Sequence, residues 1–164
     1  MNMKNSIIVA FSLILVLGVA LNAGAVLIDR GGGMIYSTEM NMTWLMDANF
    51  AWTSGYAQTL GYSTDGRMTW NDANTWTQSL VYGGFDDWRL PTFDPAHAAD
   101  FSRLHEMAFL NYIELGNSRG SFTNYGPFVN FPPTTATGDW IEPWYWSGTL
   151  ASASTAWRYD FSCG

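Results

Sequence analysis

TDGRMTWNDANTWTQSLVYGGFDDWRLPT, residues 64–92, reads as a turn, a capped helix, a glycine turn and a buried strand, with tryptophan throughout. Thr69 can cap the helix, and Asp72 stands three residues on, the capping-box spacing with a shorter acid. Trp70, Ala73, Trp76, Thr77 and Leu80 then fall on one face at helical spacing. Gly83-Gly84 is expected to end the helix. Phe85 to Leu90 follows as a strand holding Asp86-Asp87 and Trp88-Arg89, and Pro91 closes it.

Upstream, Val26 to Asp29 is a short apolar strand, and Arg30-Gly31-Gly32-Gly33 is a turn. Met34 to Tyr36 resumes an extended run. Met40, Met42 and Trp44 alternate with Asn41, Thr43 and Leu45 at strand period. Asp47 to Asn49 begins a loop or helical turn, and 53–66, with three glycines, reads as a surface loop.

Downstream, Asp94-Pro95 opens a second helix with an N-cap acid and a proline at the first position. Phe101, Leu104, His105, Ala108, Tyr112 and Leu115 make its apolar stripe, and Gly116-Asn117 stops it. Residues 118–139 read as loop. Trp144-Tyr145-Trp146 is a strand, and Trp157, Tyr159 and Phe161 alternate with Arg158, Asp160 and Ser162 in a half-buried one. The expected class is α+β: a single domain with two helices packed on short, mostly antiparallel strands.

The N-terminus predicts a secretory signal. Lys4 supplies the positive region, 7–21 is apolar apart from Ser12 and Gly18, and Ala23-Gly24-Ala25 is a small-residue cleavage site. The apolar run is short for a membrane span, which needs roughly 20 residues. The expected division is therefore signal peptide 1–25 and domain 26–164, secreted or surface-exposed, with no membrane span left after cleavage. Removing Lys4 removes the only lysine. Six arginines then face fourteen carboxylates, a formal charge of −8. That charge argues against nucleic acid as a partner. The 16% aromatic and 13% charged content argues against disorder. With one cysteine, Cys163, no disulfide can form within the chain.

The segments LIDRGGGMIYSTEMNMTWLMDANFA, GYSTDGRMTWNDANTWTQSLVYGGFDDWRLPT, NYIELGN, YWSGT and AWRYDFS resemble, in order, the C-terminal domain family of the Legionella collagen-like protein. DGRMTW and GGxxDWRLPT are the specific blocks. The resemblance implies a compact α+β domain related to the C-type-lectin-like fold, working outside the cell. Similar members often end in a PEP-CTERM type sorting helix. Members usually continue past the segment equivalent to Trp157–Ser162 with a polar loop and a last strand. This chain stops at Gly164, so a truncated domain without that strand or the sorting helix is expected. The founding adhesin's sulfated glycosaminoglycans need clustered cations, and a lysine-free acidic domain is a poor match for them.

Candidate sites are few. Trp70-Asn71-Asp72 and Glu142-Pro143-Trp144 resemble lectin calcium motifs, but in the wrong order, and Asp72 already has a capping task; calcium is a weak candidate and no other cofactor is expected. Asp86-Asp87 beside Arg89 reads as a solvated turn in which Arg89 pairs with one of the two carboxylates. Asp65-Gly66-Arg67 reads as a tight turn. His97 and His105, eight apart, lack zinc spacing, and Ser147 lacks a nucleophile-elbow frame. WRLPT also resembles formylglycine-generating enzymes, whose copper-bound cysteines Cys163 alone cannot replace. No enzyme activity is expected. Trp44, Trp70, Trp76, Trp88 and Trp157 fit core positions, with Trp70, Trp76, Trp88, Arg89 and Pro91 forming the structural motif. Asp139, Trp140, Glu142 and Trp144 are the candidate ligand-binding residues: indole faces stack on a pyranose and carboxylates accept its hydroxyls. The expected function is a non-catalytic, adhesin-like domain binding a glycan or extracellular matrix component. The alternative is a structural or oligomerising envelope module.

Overall fold

The computed structural model describes residues 26–62, 66–97, 104–131 and 143–162. Residues 1–25, expected as the signal segment, and Asp65, Phe101, Asp139, Trp140, Glu142 and Cys163 lie outside the described residues. Among those described, no helix is long and apolar enough to cross a membrane.

The chain forms a small mixed α+β domain with two antiparallel sheets and few helices. The first sheet is β1 (Leu27–Gly31), β2 (Met34–Ser37) and β3 (Met42–Leu45), in that order. The glycine turn after Arg30 joins β1 to β2 as expected, with Gly33 at φ +76°. Asn41, also at positive φ, turns β2 into β3 and accepts the Tyr36 hydroxyl at 2.8 Å. The second sheet is the hairpin β4 (Trp144–Leu150) and β5 (Ala156–Asp160).

Residues 53–66, expected as loop, contain part of two single-turn helices, α1 (Phe50–Thr53) and α2 (Tyr56–Thr59). Ala57 is fully buried there, and a buried backbone needs internal hydrogen bonds, which a helical turn supplies. The helix α3 (Trp70–Ser79) is capped by Thr69, whose side chain accepts from Asp72 N. It ends at Ser79, ahead of the glycines. Leu80 is already extended, and Gly83-Gly84 instead closes a tight turn bridged between Tyr82 and Phe85.

Two further expectations are corrected. Phe85 to Leu90 belongs to neither sheet among the described residues; the side chains of Trp88 and Arg89 tie it to Tyr82 and Glu106 instead. The helix expected from Asp94 is interrupted. Pro95–His97 is a single 3-10 turn, and helix resumes as α4 (Glu106–Phe109), running into a π-helical turn over Leu110–Glu114. His105 caps α4 by accepting from Ala108 N, and Leu104, placed on the apolar stripe by periodicity, is half exposed.

The core lies between the first sheet, α4 and the hairpin. Ile35, Met107, Leu110, Leu115, Phe128, Tyr159 and Phe161 are buried together. Edge-on and tilted rings extend it: Tyr159 and Phe122 lie 4.9 and 5.1 Å from Phe161, and Phe131 lies 5.0 Å from Phe122. Such pairs add to area burial by about 0.5–1.5 kcal/mol each. The five tryptophans assigned to the core are less buried than expected. Trp44, Trp70, Trp76 and Trp88 are half-buried, and Trp157 is 40% exposed, tilted against Phe93. An indole is too large to vanish into so small a core.

Candidate functional site

The WRLPT run is a stitch. Arg89 donates to both carboxylate oxygens of Glu106, at 2.9 and 2.7 Å, and Thr92 N donates to the same carboxylate at 2.7 Å. Arg89 therefore pairs with Glu106 on α4, and not with Asp86 or Asp87, which stay exposed. That bond, chiefly, raises the Arg89 pKa further. Trp88 Nε1 donates to Tyr82 O, and Pro91 O accepts from Gly148 N at 2.7 Å. A Cβ on Gly148 would stand 3.3 Å from Leu90 O, so a side chain there would push the two backbones slightly apart.

YWSGT is the other side of the seam. Trp70 Nε1 donates to Ser147 O, Trp146 Nε1 donates to Met68 O, and Thr149 Oγ1 bonds Phe93 in both directions. Ser147 is buried, so its hydroxyl serves the turn. NYIELGN ties the core's far end. Asn111 Nδ2 donates to the Tyr159 hydroxyl, Glu114 accepts from Ser37 Oγ at 2.6 Å, and Asn117 organises Thr123 and Asn124. Asp72 accepts from Thr69 Oγ1 and from the Tyr62 hydroxyl. These bonds hold its carboxyl below the usual range, the Thr69 bond contributing most. His97 is exposed and bonds Asp94 at 2.8 Å; His105 is buried edge-on against Phe93 and Tyr159. The residues that draw the eye in the sequence are thus engaged in holding the fold.

What these stitches frame is a cleft of about 900 Å³ between β3, α3 and the β4–β5 hairpin. All four residues of β3 line it, as do Trp144, Tyr145 and Trp146 of β4. Successive strand side chains point to opposite faces. The cleft therefore touches residues from both faces of β3.

The register says which main-chain groups face it. Met46 N donates to Gly33 O, so Ile35–Trp44 and Ser37–Met42 are the bonded pairs, and the N–H and C=O of Thr43 and Leu45 turn away from β2. Likewise Phe161 N donates to Pro143 O, so Tyr145–Tyr159 is bonded and the backbone of Trp144 and Trp146 turns away from β5. Among the described residues no strand pairs with either outer edge over these positions.

The walls combine rings and cations. Arg30, Arg67, Arg89 and Arg158 line the cleft, four of the five arginines among the described residues, against Asp47 and Asp87. Asp47 is held by three donors: Asn49 N, Thr53 Oγ1 and Asn130 Nδ2. Arg158 stacks over the Trp144 ring at 3.5 Å, and Arg30 reaches Thr43 Oγ1 at 2.9 Å. Trp44 Nε1 and the Tyr145 hydroxyl are buried at this wall with no hydrogen-bond partner among the described residues. Burial, reinforced by the Asp47 charge, pushes the Tyr145 pKa far up, so the phenol stays neutral.

Of the four ligand-binding residues expected from the sequence, Trp144 is at the cleft and 42% exposed, while Asp139, Trp140 and Glu142 lie outside the described residues. Among the described residues no three His, Cys, Asp or Glu side chains gather as a metal site. Arg30, Trp44, Tyr145 and Arg158 are the cleft residues that sequence reasoning missed. Arg158 carries a faint mark, since it alternates with ring residues along β5 and so had to lie on the face opposite the core. No family model, curated protein or solved structure matches this chain.

Proposed function

We propose that this chain is a secreted or surface-exposed, non-catalytic, adhesin-like domain that binds a glycan or extracellular matrix component in the cleft between β3 and β4. In this reading it is a relative of the Legionella collagen-like C-terminal domains and of the wider C-type-lectin-like class. The observation that carries the binding function is the exposed Trp144 ring with Arg158 stacked on it at the cleft. A flat indole takes the apolar face of a sugar or a ring, and a guanidinium beside it takes a carboxylate or hydroxyl. Both act through binding and need no reactive group.

The test is Trp144→Ala in the purified protein, scanned for thermal unfolding and for binding across oligosaccharides and matrix proteins, with calcium and with EDTA. A ligand specific to the folded state raises Tm by mass action. Trp144 is partly exposed, so its removal leaves the fold intact and weakens binding by about 30-fold or more, as for a central interface tryptophan. Unchanged affinity would sink the site. The alternative, a structural or oligomerising envelope module, draws on the open edges of β3 and β4; its sign is a sedimentation coefficient that rises with concentration.

A further inference from the structure

We infer that the cleft receives an extended, acidic peptide segment of another protein, which adds as a strand to the open edge of β3. The inference rests on the reading of the cleft as the binding site and names the class of matrix component that fits it. Three observations carry it.

The first is the edge itself. Thr43 and Leu45 each present an N–H and a C=O away from β2, and all four β3 residues line the cleft. Residues two apart on a strand stand about 6.8 Å apart, a repeat that a second extended backbone matches and a sugar ring does not. Strand addition of this kind draws affinity from main-chain bonds and specificity from alternate side chains. The second is the opposite wall. Trp144 and Trp146 of β4 also turn their backbone away from their own partner strand and line the same cleft. Among the described residues, no strand pairs with either edge over Thr43–Leu45 or Trp144–Trp146, and a single strand of four or five residues, about 13–17 Å long, spans β3.

The third is charge. The chain as a whole is at −7, yet four of its arginines line this one cleft, and of these Arg89 is already paired with Glu106. Asp47 is held by three donors and Asp87 is the other carboxylate at the cleft. An acidic segment is attracted to such a site, whereas a second copy of this acidic chain meets net repulsion. Along the guest strand, alternate side chains would be apolar, against the ring-lined wall, and acidic, toward Arg30 and Arg158 at the cleft.

The probe is a displayed library of random heptapeptides selected on the purified chain, followed by synthesis of the winners. The expected winners alternate apolar and acidic residues and slow hydrogen exchange at the Thr43 and Leu45 amides by tenfold or more. A single N-methyl group at alternate backbone positions weakens them about tenfold, while the same group at the intervening positions has little effect. Arg158→Gln weakens acidic winners by about three- to fivefold, the range of an exposed charge pair, and leaves neutral variants of the same peptides unchanged. Several results would overturn the inference: no enrichment, winners indifferent to N-methylation, or no protection at Thr43 and Leu45. A dimer formed through the cleft would also overturn it. An oligosaccharide that binds through Trp144 without protecting those amides defeats strand addition and leaves the cleft reading standing. If neither peptide nor oligosaccharide depends on Trp144, both readings fall.

Discussion

Replacing Glu106 with alanine should unfasten the WRLPT segment from α4. Glu106 is 8% exposed and accepts three hydrogen bonds, two from Arg89 and one from Thr92 N. The two partners respond differently. The Arg89 side chain is half exposed, so its guanidinium recovers water, and that part of the loss is near the surface-pair range of up to about 1 kcal/mol. The Thr92 amide loses a bond to a charged acceptor, worth about 1.5–3 kcal/mol. Together these give roughly 3 kcal/mol, or about 9 °C in Tm for a domain of this size. Glu106→Gln keeps the shape and one acceptor oxygen, and should cost about half as much. Urea titration followed by tryptophan fluorescence measures both, and an unchanged m-value confirms that stability alone has moved. Asp86→Asn serves as the control and should be neutral, since Asp86 is exposed. A loss below about 1 kcal/mol for Glu106→Ala, or equal losses for alanine and glutamine, would refute the assignment of Glu106 as the clamp.

Gly33→Ala should destabilise by about 2 kcal/mol, because φ is +76° and the added methyl meets the Tyr82 hydroxyl; a neutral result by urea titration would show that this turn relaxes freely. Trp70→Phe and Trp146→Phe each remove one indole donor, to Ser147 O and Met68 O. Each should cost about 1 kcal/mol, and the double mutant should deviate from additivity, since both bonds close the same seam; strict additivity would count against a single seam. Burial raises the Glu114 carboxyl pKa above its ordinary 4.5, outweighing the Ser37 bond, and Glu39 adds to the rise. The folded state therefore holds this proton to higher pH than the unfolded chain, and stability falls as pH rises through the interval above 4.5. Glu114→Gln should accordingly exceed the parent in stability at pH 7 and converge with it near pH 4; a pH-independent difference in urea midpoints would refute this.

Local chemistry was legible in the sequence wherever one residue sets the backbone. Thr69 with Asp72 marks the start of α3, the glycines after Arg30 mark the β1–β2 turn, and ring alternation marks β5. What was not legible depended on distant partners. Phe85 to Leu90 has strand composition but pairs with no strand among the described residues; Glu106 and Tyr82 fix it, and Gly148 holds Pro91 just beyond it. The stripe from Phe101 to Leu115 has helical period, yet Thr92 and Asp94 draw the backbone of Leu104 and Glu106 into bonds of their own, so Leu104 and His105 stand outside the helix that begins at Glu106. The cleft was invisible for a related reason. Its open edges belong to strands far apart in the chain, and its arginines come from four separate segments.

Unpaired strand edges usually invite stacking into fibres, and proteins blunt them with lysine, proline or a covering element. The only lysine of this chain is Lys4, which lies outside the described residues. The edges of β3 and β4 are protected by topography instead. They line a cleft that Arg30 and Arg158 also line, and a charged concavity is a poorer template for another sheet than a flat, neutral edge. At these two edges the cleft would oppose the runaway, sheet-upon-sheet growth of amyloid.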